Sequence, residues 1–209
     1  MKEHIIQEIL KKEWKMFSNV QNEGGKASCQ EDHGTFTIMR SSQFESLPIY
    51  VLESYFHDLA VAERQNTNLM TEKYARMMEF TDPIGYKATK KFLRKIDVES
   101  QKYVEEAILI FLNWEKVLRL EFPYLFSNSR PLFSSEDSPS STSFETYQRA
   151  ELYTYSPNTI KLYSNFIKES AKNNINISKQ IQLNIVKKYG YNSLQEANEA
   201  VKKRIKKSN

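Results

Sequence analysis

Apolar residues return every three or four positions along most of this chain, and little interrupts them. The stretch from Asp97 to Phe122 is the clearest case. Val104, Ile108, Phe111, Leu118 and Phe122 fall on one side of a helix, with neither glycine nor proline between them. Glycine and proline number 5 and 6 among 209 residues, about half the usual share. That scarcity argues against a turn-dense sandwich or barrel, and no clean alternating run marks a strand. The reading is an all-α, single-domain bundle of about eight helices around a central long helix.

The boundaries follow from caps and breakers. Helix 1 is expected from Lys2 to Val20, ended by Gln21-Asn22-Glu23-Gly24-Gly25. A loop over Lys26–Gly34 leads to a helix from Thr35 to Ser46, and Pro48 opens a third, to Gln65. Asn66-Thr67-Asn68 caps a helix from Leu69 to Phe80, Thr81–Ile96 is ambiguous, and Asp97 caps the long helix. Residues 124–141 read as a long serine-rich loop, with six serines from Ser127 to Ser140. Thr142-x-x-Glu145 then reads as a capping box for a helix to Tyr155, and Ser156-Pro157 restarts a helix to Lys172. Ser178 is expected to cap a helix ended by Gly190, and Ser193-x-x-Glu196 to open the last one. Residues 1–209 are thus one helical domain, with 202–209 a basic tail.

Charge narrows the function classes. The net charge is +4, but residues 187–209 hold seven Lys/Arg against two Glu, or +5, so the other 186 residues carry −1. A nucleic-acid binder shows cations across a face of its body; here the body is neutral, and no specific nucleic-acid partner is expected. The strongest apolar run, Ala107–Leu112, is far shorter than the roughly 20 residues that span a bilayer. The N-terminus opens an amphipathic helix rather than a signal peptide, so no membrane partner is expected. The lone Cys29 precludes an internal disulfide and fits a reducing cytoplasm. Oligomeric state and cofactor have no sequence signature.

The informative residues are polar ones where apolar ones belong. On a helical wheel Glu13 sits among Ile6, Ile9, Leu10, Met16, Phe17 and Val20. Arg40 and Gln43 sit among Phe36, Met39, Phe44 and Leu47. Glu115 fills the missing step of the long helix, and Glu151 lies between Tyr147 and Tyr155. A buried unpaired carboxylate costs several kcal/mol, so each needs a partner or a raised pKa. Singly, each reads as packing. Together, on four helices, they point to a polar-lined cavity.

Common chemistries find little purchase. No Glu-x-x-His occurs, so a carboxylate-bridged metal pair is not expected, although an oxygen-ligand Mg²⁺ at Glu13, Glu115 or Glu151 stays open. Gly24-Gly25 is neither a Walker loop nor a dinucleotide fingerprint, and there is no Gly-x-Ser-x-Gly elbow. Cys29, with His33 four residues on, is a candidate nucleophile whose alternative is a small half-buried side chain.

Several blocks in order carry a resemblance. They are Glu13-Trp14-x-Met16-Phe17-x-x-Val20, Cys29-Gln30-x-Asp32 and Phe36-x-x-Met39-Arg40-x-x-Gln43-Phe44. Asn68-Leu69-x-x-Glu72-Lys73-Tyr74-Ala75-x-Met77-Met78 and Glu145-Thr146-Tyr147-x-x-x-Glu151-Leu152-x-Thr154-Tyr155-Ser156 follow. The sequence resembles the bacterial family catalogued as domain of unknown function 4125, over residues 13–197. Lys26 stands where the family pattern has Arg, and a Trp expected after Phe44 is missing. The resemblance implies no named activity. Relatives joined to a nucleotidyltransferase-like domain imply a nucleotide or modified small metabolite as ligand.

The leading expectation is a cytoplasmic enzyme acting on a small anionic or nucleotide-like substrate in an interhelical pocket. Glu13, Glu151 and Cys29 are the catalytic candidates, the glutamates as general bases with raised pKa. Arg40, Gln43, Asp32, Tyr147 and Arg130 are the substrate-binding candidates, Arg130 closing over the site from the serine-rich loop. The competing expectation is a non-catalytic binding or regulatory module whose Arg–Glu core network serves packing. Mutual satisfaction of these groups favours the module; a remaining solvent-connected cavity favours the enzyme.

Overall fold

The computed structural model describes residues 1–21 and 25–208. The expected breakers Asn22, Glu23 and Gly24, and the last tail residue Asn209, lie outside the described residues. Among the described residues ten α-helices run in the order α1 Lys2–Ser18, α2 His33–Glu45, α3 Ile49–Arg64, α4 Leu69–Thr81 and α5 Pro83–Thr89. They continue as α6 Val98–Glu121, α7 Phe144–Leu152, α8 Pro157–Lys172, α9 Ile177–Lys188 and α10 Leu194–Ser208. No strand occurs among the described residues, and one isolated bridge joins Ser138 to Ser141. The fold is an all-α bundle, as periodicity and the lack of breakers require.

The count exceeds the expected about eight: the caps and breakers already mark nine segments, and the ambiguous stretch 81–96 supplies a tenth. Asp82 accepts from the Gly85 amide, Pro83 occupies the first turn, and α5 passes into a 3-10 turn at Lys90–Phe92. Asp97 caps α6 as expected, accepting from the Ser100 amide at 2.8 Å and its hydroxyl at 2.7 Å. Two caps differ. Ser143, not Thr142, caps α7, and Asn176, not Ser178, caps α9, each accepting from the amide three residues on. In both places two polar side chains compete within a few residues, and the one directly before the first helical residue caps. Ser143 and Ser178 are both buried, but only Ser143 precedes the first helical residue. The helix expected to reach Tyr155 stops at Leu152. α9 ends before Gly190, whose φ of +87° is the left-handed conformation of a glycine stop.

The core forms where α6 packs along α8 and α7, while α1 packs on α2, α3 and α4. Ile9, Leu52, Leu59, Ile108, Ile160 and Ile167 are fully enclosed there, each stabilising by about 1.5–3 kcal/mol. A smaller cluster of Leu118, Phe122, Val186, Leu194 and Ala197 joins the end of α6 to α9 and α10. Residues 202–208 of the basic tail continue α10.

The serine-rich loop is pinned rather than loose. Glu136 accepts from the Leu132 and Phe133 amides, and Glu145 from the Ser134 amide at 2.7 Å. Asp137 accepts from the Ser143 amide and the Thr146 hydroxyl. Asn198 of α10 accepts from the Tyr124 and Leu125 amides, both at 3.0 Å. These contacts hold the loop across the ends of α6 and α7.

Candidate functional site

Burying Glu13, Arg40 and Glu151 on three different helices forces them to find one another, and they do. The Arg40 fork donates through Nε to Glu13 Oε2 at 2.8 Å and through Nη2 to Glu13 Oε1 at 2.5 Å. Its Nη1 donates to Glu151 Oε1 at 2.9 Å and to Gln43 Oε1 at 2.5 Å. The Tyr55 hydroxyl donates to Glu13 Oε1 at 2.6 Å, and that of Tyr155 to Glu151 Oε1 at 3.1 Å. Lys73 closes the set, donating to Glu151 Oε2 at 2.6 Å. Two cations face two carboxylates, so the network is neutral, and its charges are 0–8% exposed.

Lys73 was not among the expected site residues. The buried face of α4 is Leu69, Met70, Lys73 and Met77, with Tyr74 and Met78 half-buried. Lys73 stands four residues from both Leu69 and Met77. The wheel that picked out Glu13 and Arg40 picks it out too.

The network corrects the raised pKa expected for Glu151. Burial pushes its carboxyl up, but the Arg40 and Lys73 charges together outweigh burial and hold it well below the usual carboxylate range. Glu13 has both oxygens filled by Arg40 and Tyr55. Arg40 lies 4.7 Å from the Phe44 ring centre and is held protonated by Glu13 and Glu151, against the opposing effect of burial. Tyr55 and Tyr155 are pushed well above their ordinary values, first by burial and then by the adjacent carboxylates.

Two cavities flank this network. One, of about 300 Å³, is lined by Cys29, Asp32, Met39, Lys73, Tyr74 and neighbours. The other, of about 380 Å³, lies beneath the serine-rich loop between α2, α6, α7 and α9. Met39, Arg40, Arg130 and Tyr147 line both and form the partition. Met39, expected on the core face of α2, is thus 45% exposed. The expected site residues therefore converge: Glu13, Arg40, Gln43 and Glu151 in the network, and Cys29, Asp32, Arg130 and Tyr147 around it.

Their states differ. Asp32 is the N-cap of α2, accepting from the Thr35 amide at 2.9 Å, and that hydrogen bond lowers its pKa. Cys29 is exposed. His33 packs edge-on against Trp14 at 4.7 Å and has no hydrogen bond to Cys29 among the described residues. Next to them, buried Gln30 donates to the Phe17 and Val20 carbonyls, both at 2.9 Å, and so tethers the loop to the end of α1. Tyr147 carries Lys73 Nζ 3.6 Å and Arg130 Cζ 4.5 Å from its ring centre. Arg130 has no carboxylate partner among the described residues and holds only the Thr142 carbonyl, at 3.3 Å.

Glu115 behaves unlike Glu13 and Glu151. It is 4% exposed in the wall of the larger cavity, and its nearest cation is Arg119, Nε to Oε2 at 4.0 Å. Burial raises its pKa, against smaller opposing effects of the Ser178 hydroxyl and Arg119. Arg119 donates through Nη1 to the Arg130 carbonyl at 2.9 Å, while its buried Nε has no hydrogen-bond partner. Phe111, Phe126 and Phe144 supply apolar wall, and Gln148 and Asn128 further polar groups.

Among the described residues no group of three or more His, Cys, Asp or Glu is placed to hold a metal ion, and no helix is long and apolar enough to cross a membrane. No curated protein and no solved structure matches the chain. The family model described as protein of unknown function DUF4125 matches residues 3–199, and the chain belongs to that family.

Proposed function

We propose that the protein acts on a small anionic molecule with a planar portion, held in the cavity beneath the serine-rich loop. Arg130 and Arg119 face the anionic group, and the fork of a guanidinium suits carboxylate or phosphate alike. Phe111, Phe126, Phe144 and Tyr147 flank the planar portion. Glu115 is the proton-transfer group. One observation carries this reading: a nearly enclosed carboxyl whose ion pair, with Arg119, is long at 4.0 Å, in the wall of a cavity of about 380 Å³. That volume lies in the range of small-molecule sites, and a carboxyl raised by burial keeps its proton to higher pH than an exposed one, which suits it to proton transfer. The Arg40 network forms the floor of the site rather than its reacting part. A cytoplasmic location belongs to the same proposal, supported by a single free cysteine.

The second reading, a binding module without turnover, is favoured by the closure of that network, since Arg40, Glu13 and Glu151 satisfy one another. Melting curves with nucleoside monophosphates, sugar phosphates and small dicarboxylates separate the outcomes. A ligand at about 100 times its Kd adds about 2.7 kcal/mol, or roughly 5–10 °C in a chain this size. The expected result is such a shift with one class, abolished in Arg130→Ala. Binding that survives in Glu115→Gln, with no change to the ligand on long incubation with the unaltered protein, selects the module. No shift with any probe removes both.

A further inference from the structure

The segment linking α4 to α6 carries an unpartnered surface of uncommon composition. After Met1, the three most exposed large apolar side chains among the described residues all belong to it or to its end: Ile84 at 84%, Val98 at 82% and Phe92 at 80%. Between them, residues 83–96 hold five cations, Lys87, Lys90, Lys91, Arg94 and Lys95, and no acidic residue. The flanking Asp82 and Asp97 are used as helix caps. None of the five cations forms an ion pair among the described residues.

The segment borders two open grooves of about 530 and 590 Å³ that share Leu93 and Arg94, with Lys90, Lys95 and, from α4, Glu79 lining the first and Phe92 the second. Arg94 turns inward, donating to the Tyr155 and Tyr153 carbonyls at 2.6 and 2.9 Å, while its own carbonyl accepts from Arg76 at 2.7 Å. That anchor holds the segment down and leaves the lysines and the apolar tips outward.

We propose that residues 83–98 form a peripheral docking surface for an anionic lipid bilayer. Ile84, Phe92 and Val98 enter the boundary between headgroups and acyl chains, and Lys87, Lys90, Lys91 and Lys95 meet the lipid phosphates. Charge selects this occupant over a second copy of the chain docked by the same face, which would set four lysines against four. Chemistry selects it over single-stranded nucleic acid. Bases would stack on Phe92 but gain nothing from Ile84 or Val98, which lack a π face, whereas all three gain from an acyl boundary. The proposal replaces the expectation of no membrane partner, which rested on the lack of a spanning segment; docking from one side needs none. It uses no residue of the cavity that holds Glu115.

The test is co-sedimentation of the full chain with phosphatidylcholine vesicles, with or without phosphatidylserine. Binding is expected only when phosphatidylserine is present, and it should weaken as salt rises. Replacing Lys90 and Lys91 by Gln should weaken partitioning roughly fivefold per lysine. Ile84→Ser with Phe92→Ser should weaken it at least tenfold, with the melting temperature unchanged because both side chains are already exposed. No binding to phosphatidylserine vesicles, equal binding to neutral ones, or insensitivity to both pairs of substitutions would overturn the proposal. So would salt-sensitive binding to a single-stranded oligonucleotide without binding to vesicles.

Discussion

Arg40→Met separates a packing role from a ligand-binding one by the size of its effect. Arg40 donates four hydrogen bonds, two of them to Glu13. Without the guanidinium, Glu151 keeps Lys73 and Tyr155. Glu13 keeps only the Tyr55 hydroxyl, a neutral donor, and becomes a fully enclosed charge with no cation. Removing one member of a buried ion pair costs about 3–5 kcal/mol, and in a chain this size each kcal/mol moves the melting temperature by roughly 2–4 °C. Thermal unfolding followed by circular dichroism should therefore show Arg40→Met melting roughly 10 °C below the unaltered protein. Adding Glu13→Gln should recover more than half of the loss, because the amide oxygen still accepts from Tyr55 while the unpaired charge is gone. A loss below about 1 kcal/mol, or no recovery in the double variant, would refute the claim that Arg40 is the counter-charge that makes Glu13 tolerable.

Other expectations rest on single features. Glu115 has a raised pKa, so the stability it contributes is fully present below the unfolded value and lost as pH rises through the folded one. Glu115→Gln should accordingly match the unaltered protein in acid and exceed it at neutral pH by about 1 kcal/mol, read from melting curves across that range. Glu151 has a lowered pKa, so its contribution is present above the ordinary glutamate value and lost as pH falls from there through its lower folded one. Lys73→Met should cost about 3 kcal/mol at pH 7 and flatten that acid dependence, which urea titrations at several pH values would measure. Gly190→Ala meets no atom within 4 Å but must hold φ at +87°, so it should lose about 1 kcal/mol through the backbone alone; an unchanged urea midpoint would contradict this.

Much of the fold was legible because helices declare themselves locally. The boundaries of α3, α4, α6 and α8 follow from Pro48, Asn68, Asp97 and Ser156-Pro157, residues that act within one turn. The cap positions of α7 and α9 were less legible, because several hydroxyl and amide side chains compete there within a few residues. The site divides the same way. Glu13, Arg40, Gln43 and Glu151 were visible as polar residues on apolar faces, but a wheel shows that a charge is buried, not what it meets. Whether Glu151 is a poised base or a locked counter-ion depends on Arg40 and Lys73, 111 and 78 residues away. Lys73, four residues from both Leu69 and Met77, carries the same wheel signal as Arg40, and the apolar face of α4 was drawn without it. Glu115 looked like its two fellow glutamates in sequence and differs because its nearest cation is 4.0 Å away.

The most direct test of the account is therefore a comparison of two buried carboxyls in one protein. Carbon-13 chemical shifts of the glutamate carboxyls, assigned with Glu115→Gln and Glu151→Gln, can be followed from neutral pH into acid. The account predicts that Glu115 titrates above the usual glutamate range, while Glu151 stays ionised until well below it, to the limit of the folded state. Titration of both at an ordinary glutamate value, or of Glu151 before Glu115, would contradict the division into a locked network and an open, proton-transferring wall.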